Sequence, residues 1–339
     1  MNQALSLPLR DSDRVVIFSD LHIGNGKERD AFRRNADLWL KAAGKYYLEN
    51  GYQLVLNGDV EELQRFRLGK VIHRWKSFYD LLDQFQSKTA LYRILGNHDH
   101  ELLMHKDYPY HDQLLNALKF DYYGQEILVF HGHQAYAFYE KYNDLVGFFL
   151  RYFAHPLHIK SHYVASDKRV KFKVEKRVYE CSLQNRIISI IGHTHRPLFD
   201  SLSRIDYLKF KIEELCRAYS KRDQAGKESI ESEIRYFKDE LHKCRLDEGS
   251  GLLSNLSGTD VLVPCVFNSG CTIGKRGMTA IELADGEIRL IHWFDARRSR
   301  KYFAHYENHP RQLPGTDYYR MVLKKEPLDY IITRIKLLA

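Results

Sequence analysis

The sequence predicts an α/β fold in which several strands end at one shared site. Five short apolar runs each lead into aspartate, histidine or asparagine, and helical patterns separate the first three runs. A buried strand has such an apolar run, and alternation of strands with helical patterns is typical of α/β proteins. Because open α/β sheets bind ligands beyond the carboxyl ends of their strands, we expect these polar groups to gather at one sheet edge.

The predicted strands define the candidate site through the residues that follow them. The apolar runs cover residues 15–18, 54–56, 90–95, 127–130 and 187–191. The polar residues after them are, in order, Asp20 and His22, then Asp59, then Asn97, His98 and Asp99, then His131, and finally His193 and His195.

Helical spacing predicts two helices between the first three strands. Apolar residues recur every three or four positions from about residue 28 to 50 and from about 71 to 85. Gly51 is suited to cap the first of these helices at its carboxyl end. Both helices are expected to cover one face of the sheet.

A first insertion, about residues 134–186, is expected to form a helical cap over the site, because it starts and ends at polar motifs. It contains a basic run at 168–173. Its apolar residues either bind a hydrophobic ligand or pack the cap against the rest of the domain. These residues are Leu145, Val146, Phe148, Phe149, Leu150 and Phe153.

A second insertion, about residues 201–247, has apolar residues every three or four positions on both sides of a polar segment at 222–226. This pattern predicts a hairpin of two antiparallel helices. The apolar seam is either satisfied within the pair or available for self-association into a homo-oligomer.

The remaining chain predicts three antiparallel strands, at 261–267, 278–283 and 287–293, which complete a domain of residues 14–293. Residues 294–339 form a C-terminal extension. Its amphipathic face either docks on the domain or rests on a membrane surface. The apolar residues of this face are Leu328, Ile331, Ile332, Ile335 and Leu338.

Length and composition indicate one large soluble domain with insertions. The chain has 339 residues, a formal net charge of +8 and five cysteines, none in a CxxC spacing. Scattered cysteines favour reduced thiols, and the positive charge favours anionic partners. The start of the chain lacks a secretory signal, so we expect a cytoplasmic location, with peripheral contact at the inner membrane face as an option.

The candidate residues suit a centre of two metal ions. Carboxylate, amide and imidazole ligands favour Mn²⁺, with Fe, Zn²⁺ or Ni²⁺ as alternatives, over Mg²⁺ or Ca²⁺. Two carboxylates, one amide and four imidazoles make seven possible ligands, which are Asp20, Asp59, Asn97, His22, His131, His193 and His195. Seven ligands exceed what one catalytic ion accepts, so two ions sharing a carboxylate are expected. Such a pair suits hydrolysis of a phosphoester or pyrophosphate by a metal-bound hydroxide. His98 is then placed to protonate the leaving oxygen, with Asp99 fixing its tautomer.

The order of these motifs resembles the calcineurin-like metallophosphoesterase family, and in layout the branch around UDP-2,3-diacylglucosamine hydrolase. The matching motifs are Asp20-x-His22, Gly58-Asp59, Gly96-Asn97-His98-Asp99, His131 and Gly192-His193-x-His195. The resemblance implies a four-layer αββα sandwich. It also implies one metal held by Asp20, His22, Asp59 and His195, and a second held by Asp59, Asn97, His131 and His193, with His98 and Asp99 as the catalytic pair.

On this reading the substrate is a nucleotide-linked lipid or a small phosphoester. Two enzymes with the same centre remain as alternatives. A protein phosphatase would need an open groove, and a nuclease would use the basic run against a nucleic-acid backbone, although nucleic acid is not the expected partner. A non-catalytic binding scaffold is an alternative of another class.

Overall fold

The protein is built on two β-sheets, as a computed structural model of residues 5–135, 168–199, 204–219, 224–250, 263–299 and 309–339 shows. The strands are β1 (Leu5–Leu9), β2 (Arg14–Phe18), β3 (Gln53–Asn57), β4 (Leu91–Ile94), β5 (Leu114–Leu115), β6 (Ala117–Tyr122), β7 (Gln125–Phe130), β8 (Ile188–Ile191), β9 (Val266–Asn268), β10 (Met278–Ala284), β11 (Glu287–Asp295), β12 (Arg311–Gln312) and β13 (Tyr318–Pro327). The α-helices are α1 (Ala36–Ala42), α2 (Leu68–Arg74), α3 (Lys76–Lys88), α4 (Lys168–Asn185), α5 (Arg204–Tyr219), α6 (Gln224–Ser250) and α7 (Leu328–Leu338).

The two sheets divide the predicted strands between them. The eight-stranded sheet has the order β12-β13-β11-β10-β2-β3-β4-β5, and the five-stranded sheet has the order β1-β6-β7-β8-β9. All five predicted site strands are present, but the expectation of a single sheet edge was wrong. β2, β3 and β4 are parallel neighbours in one sheet, whereas β7 and β8 are parallel neighbours in the other.

Side-chain alternation shows how the layers stack. In β2, Val16 and Phe18 belong to the core beneath α1 and α3, whereas Val15 and Ile17 belong to the core shared with the five-stranded sheet. On the other side, Ser182 of α4 donates a hydrogen bond to Ser189 of β8 at 2.7 Å. Neighbouring residues of a strand point to opposite faces, so α4 covers the outer face of the five-stranded sheet. The order of layers is helix, sheet, sheet, helix, as expected.

The helices between β2 and β4 differ in detail from the prediction. The first predicted helix is shorter, with α1 running into a π-helical segment at Ala43–Leu48. The second is divided into α2 and α3 at Trp75, whose φ and ψ of −108° and 37° leave the helical region. The indole Nε1 of Trp75 donates to the carbonyl of Gly24 at 3.1 Å and to Asp30 at 2.9 Å. These hydrogen bonds, made at the break between α2 and α3, link the helical layer to the loop after His22.

Both insertions connect strands of the five-stranded sheet: the first lies between β7 and β8, and the second lies between β8 and β9. Most of the expected cap, residues 136–167 with its apolar set, lies outside the described residues. Its final part, α4, buries Phe172, Val174 and Val178 against the body, so this part packs on the sheet. The predicted helical pair is present as α5 and α6, which contact each other through a hydrogen bond from Tyr219 to Glu231 at 2.6 Å.

The C-terminal third completes both sheets. β10 and β11 form the predicted antiparallel hairpin. The strand predicted at 261–267 is β9, which pairs parallel with β8 in the five-stranded sheet, so its expected antiparallel place was wrong. Residues 294–339 are integrated with the domain, since β13 pairs with β11 and α7 buries Leu328, Ile331, Ile332 and Ile335. The apolar face of α7 therefore docks on the body. Within the described residues, no helix is long and apolar enough to cross a membrane.

Candidate metal centre

The turns after β2, β3, β4, β7 and β8 meet at one buried cluster of acidic and imidazole groups. Three overlapping sets have ligand atoms within 4.8 Å of one another. They are Asp20 with His22 and His195, His22 with Asp59 and His98, and Asp59 with His131 and His193. From the five strand ends, the structure therefore brings together the side chains of Asp20, His22, Asp59, His98, His131, His193 and His195.

The first set surrounds the carboxylate of Asp20. Its Oδ1 lies 3.1 Å from Nε2 of His195 and 3.9 Å from Nε2 of His22. The two imidazole nitrogens lie 3.1 Å apart. The other oxygen, Oδ2, accepts a hydrogen bond from the backbone N–H of His193 at 3.0 Å. One oxygen of Asp20 thus fixes the neighbouring turn, while the other faces the imidazoles.

The second and third sets share Asp59. Its Oδ2 lies 3.2 Å from Nε2 of His131, 3.8 Å from Nε2 of His22 and 3.9 Å from Nε2 of His98. Its Oδ1 accepts a hydrogen bond from the backbone N–H of His98 at 2.8 Å. Asp59 is therefore the carboxylate common to two of the three sets.

Backbone strain is concentrated at these residues. Positive φ angles of 47–64° occur at five predicted ligands, a conformation that is uncommon outside glycine and clusters at functional sites. The five residues are Asp20, His22, Asp59, His193 and His195. The surrounding packing must hold these residues in the conformation that aims their side chains at one another.

Glycines allow the strand ends to approach closely. A Cβ atom at Gly96 would lie 2.1 Å from Oδ1 of Asp59, and one at Gly58 would lie 2.4 Å from Nδ1 of His131. A Cβ atom at Gly192 would lie 2.7 Å from Oδ2 of Asp20. Each of these glycines therefore leaves the space that a predicted ligand fills.

Unpartnered polar atoms at the cluster fit metal ligation. Both polar atoms of the Asn97 side chain are buried and have no hydrogen-bond partner among the described residues, whereas Oδ1 of Asp20 and Nε2 of His131 face ionisable neighbours, His195 at 3.1 Å and Asp59 at 3.2 Å. Buried polar groups normally find a partner, and carboxylate, imidazole and amide atoms are suitable ligands for a divalent ion. The residues present therefore fit the expected metal centre.

The electrostatics of the protein without metal are dominated by these close pairs. Burial alone would raise the pKa of Asp20, but the neighbouring His195 outweighs it and lowers the pKa to about 2. Burial alone would lower the pKa of His131, but Asp59 raises it to about 10. Burial, followed by repulsion from His131, lowers the pKa of His193 to about 3. The cluster thus holds ionised carboxylates and one protonated imidazole beside a neutral one.

Glu62 has a role at the site that the sequence analysis did not assign. Its Oε1 accepts a hydrogen bond from Nδ1 of His98 at 2.8 Å, and its Oε2 accepts one from Nδ1 of His22 at 2.9 Å. Burial alone would lower the pKa of His98, but the hydrogen bond to Glu62 raises it. The signal was available, because Glu62 lies three residues after Asp59 in the same turn.

The expected contact between Asp99 and His98 is absent from the structure. Oδ2 of Asp99 accepts a hydrogen bond from the N–H of Val60 at 2.8 Å, and Oδ1 accepts one from the N–H of Gly96 at 2.6 Å. Asp99 is buried and ties the turn after β3 to the turn after β4. It therefore holds the backbone of both turns, and Glu62 takes the position next to His98 that we had assigned to Asp99.

A second buried carboxylate supports the turn that carries His193 and His195. Glu175 of α4 accepts a hydrogen bond from the hydroxyl of Thr194 at 2.7 Å and forms an ion pair with Arg196. The amide of Asn268 donates to the same hydroxyl at 2.9 Å. The turn is therefore fixed from the outer helix layer and from β9.

The family comparison agrees with this arrangement. The family model of the calcineurin-like phosphoesterase superfamily domain matches residues 14–209. The chain belongs to that superfamily. No curated protein matches the sequence. Membership of the calcineurin-like phosphoesterase superfamily, together with the His and Asp cluster, supports phosphoester hydrolysis in general and divalent metals as cofactors.

Proposed function

We propose that the protein hydrolyses phosphoesters with two divalent ions. Asp20, His22, Asp59 and His195 would hold one ion, and Asp59, Asn97, His131 and His193 would hold the other, with Asp59 between them. Bound there, the two ions would act as Lewis acids toward a phosphoryl group and lower the pKa of water. The mixed N and O ligands favour Mn²⁺, with Fe, Zn²⁺ or Ni²⁺ as alternatives.

The position of Asp59 carries the proposal. Its Oδ2 lies within 3.2–3.9 Å of three imidazoles that come from the turns after three different strands. This oxygen therefore contacts His22 of the first proposed ligand set and His131 of the second. Asp59 is the carboxylate we propose both sets of ligands share.

His98 is the proposed general acid. Its Nδ1 is engaged by Glu62, which leaves Nε2 on the side of Asp59, 3.9 Å from Oδ2. The hydrogen bond to Glu62 raises the pKa of His98, which favours the protonated form that a general acid needs. His98 would therefore give its Nε2 proton to the leaving oxygen. Asp99 would act through the backbone of the two turns.

We propose a small phosphoester or a nucleotide-linked lipid as the substrate. The layout of the motifs resembles the UDP-2,3-diacylglucosamine hydrolase branch, which supports the lipid-linked option. The apolar residues that would hold acyl chains lie outside the described part of the chain. Protein phosphatase and nuclease activities use the same centre and remain outcomes of the test.

The test is Mn²⁺-dependent hydrolysis of three substrates by the full chain. They are 4-nitrophenyl phosphate, bis(4-nitrophenyl) phosphate and UDP-2,3-diacylglucosamine in detergent. We expect turnover of at least one aryl ester, lost after chelation and restored by Mn²⁺. Turnover of the nucleotide lipid would support the lipid-linked option, and its absence would leave small phosphoesters.

His98→Ala separates catalysis from metal binding. We expect this variant to retain metal and to lose about 10²–10⁴-fold in kcat, the usual contribution of a general acid. His105→Ala is a matched control, because His105 is a partly exposed histidine that pairs with Glu101. Unchanged kcat in His98→Ala would contradict the assigned role.

A further inference from the structure

A basic recess lies beside the turn that carries Asp20 and His22. Its volume is about 610 Å³, within the range of roughly 300–1,000 Å³ that is usual for small-molecule sites. One wall comes from the segment after His22, and the other comes from the loop after β9 together with Arg298. The charged residues that line it are Glu28, Asp30, Arg33, Arg34, Lys275 and Arg298.

Thr272 links the loop that lines the recess to the backbone of Asp20. The backbone N–H and the hydroxyl of Thr272 donate hydrogen bonds to the carbonyl of Asp20 at 3.4 and 3.3 Å. The next residue, Ile273, lines the recess. One residue of backbone therefore separates the contact with a predicted metal ligand from the wall of the recess.

Hydrogen bonds from Asn35 connect the two walls of the recess. The side-chain amide of Asn35 donates to the carbonyl of Thr272 at 2.7 Å and to the carbonyl of Gly274 at 2.9 Å. These bonds join the segment after His22 to the loop after β9. Because the walls are tied by buried hydrogen bonds, the recess exists before a ligand binds.

The charge of the recess favours an anion. Four basic and two acidic residues line it, a formal excess of two positive charges, and Nε of one of the four, Arg298, also lies 3.8 Å from Oδ2 of Asp295. The carboxylate of Asp30 already accepts hydrogen bonds from the backbone of Gly26 at 2.7 Å and from Trp75 at 2.9 Å. Among the described residues, Arg33, Arg34 and Lys275 form no ion pair with a carboxylate.

We propose that this recess binds a second anionic group of the substrate, while the metal centre binds the phosphoester that is cleaved. The inference rests on the proposed function and narrows its substrate class to molecules with two phosphate-like groups. A phosphate dianion matches the excess charge, and guanidinium groups bind its oxygens through paired hydrogen bonds. Glu28 and Asp30 would select against a larger negative charge.

The test measures binding without turnover. Alkane-1,n-diyl bisphosphonates of two to six carbons are titrated calorimetrically into the Mn²⁺-loaded full chain, beside alkylphosphonates of the same length. We expect at least one bisphosphonate to bind about tenfold more tightly than its monophosphonate, as charge-assisted hydrogen bonds at a second site would give. The double variant Arg33→Ala/Lys275→Ala should lose this advantage.

A matched control removes the same charge elsewhere. Lys45 and Lys88 are exposed and do not line the recess, so Lys45→Ala/Lys88→Ala should keep the full bisphosphonate advantage. If the advantage is absent in the wild type, survives in Arg33→Ala/Lys275→Ala or is lost equally in the control, the proposal is overturned.

Two further outcomes are distinguishable. A recess-dependent site for free inorganic phosphate, without any bisphosphonate advantage, would assign the recess to a separate anion and overturn the proposal. Failure of the wild type to hydrolyse either aryl ester would contradict the proposed function alone, because the calorimetric result does not depend on turnover.

Discussion

Oε1 of Glu62 lies 2.8 Å from Nδ1 of His98, in the second half of the turn that begins with Asp59. The other oxygen of the same carboxylate lies 2.9 Å from Nδ1 of His22. One residue therefore orients a predicted metal ligand and the proposed acid, and it turns Nε2 of both rings toward Asp59. Such supporting carboxylates set the tautomer and basicity of the histidines that they contact.

Glu62→Gln should lower kcat by about 10–100-fold, in line with the loss of an outer-shell partner. The pH profile gives the more specific readout. A general acid must be protonated, so the rate falls as pH rises through the pKa of His98. Since Glu62 raises that pKa, the variant should show its alkaline fall at lower pH.

The control for this variant is Glu101→Gln, which alters an exposed glutamate that pairs with His105 at 3.3 Å. Its pH profile should match that of the wild type. If Glu62→Gln lowers kcat but leaves the alkaline limb in place, Glu62 would not act through His98.

Gly96→Ala should strongly weaken metal binding at Asp59. The added Cβ would lie 2.1 Å from Oδ1 and 2.3 Å from the backbone nitrogen of Asp59, and backbone atoms cannot move away as a flexible side chain can. We expect metal affinity and kcat/KM to fall at least about 100-fold. Gly69→Ala is the matched control, because nothing lies within 4 Å of its Cβ. Equal activity of both variants would show that the turn tolerates the methyl group.

Glu175→Gln should destabilise the protein and loosen the turn of His193 and His195. It removes the negative charge that pairs with the guanidinium of Arg196 and weakens the hydrogen bond from Thr194. We expect a loss of about 1–3 kcal/mol in the free energy of unfolding, measured with urea, together with weaker Mn²⁺ binding. Glu180→Gln removes an exposed partner of Lys176 on the same helix and should stay within about 0.5 kcal/mol. Unchanged Mn²⁺ affinity in Glu175→Gln would limit Glu175 to a structural role.

Metal uptake should release a proton from His131. Asp59 raises the pKa of this imidazole to about 10, so the metal-free protein carries the proton at pH 8, whereas a ligand must be neutral. Calorimetry in buffers of different ionisation enthalpy should show about one proton more released by the wild type than by His131→Asn. Equal proton release by both proteins would contradict this assignment.

The same pair affects the stability of the metal-free protein. Because the pKa is raised in the fold, the contribution is fully present below the ordinary histidine value of 6.5 and is lost as pH rises toward about 10. Without metal, the free energy of unfolding should therefore fall over that range, and less so in His131→Asn.

The strand ends could be predicted from sequence because each apolar run stops at a polar group, and the local pattern needs no tertiary information. The assignment of β7 and β8 to a second sheet could not be predicted, since a buried strand has the same sequence pattern in either sheet. The place of β9 was predicted wrongly for the same reason. A long insertion also separates β9 in sequence from its parallel partner, β8.

The ligands were predictable, but their support was not. His98 and Asp99 are adjacent, which suggested a pair, yet the chain turns so that Asp99 faces the backbone of Val60 and Gly96. Glu62 and Glu175 reach the site through folding, and only Glu62 lies close in sequence to a motif. Asp and His adopt positive φ angles more often than most residues, but that preference is too weak to predict them at positions such as Asp20 and His195.

The most direct test of the central claim is the number of Mn²⁺ ions bound by the wild type and by Asp59→Asn, measured by elemental analysis after reconstitution and dialysis. If Asp59 is the carboxylate shared by two sites, the wild type binds two ions per chain. Asp59→Asn binds no more than one and loses Mn²⁺-dependent hydrolysis of aryl phosphates while its circular dichroism is unchanged. Two tightly bound ions with full activity in Asp59→Asn, or a single ion in an active wild type, would contradict a shared dinuclear centre.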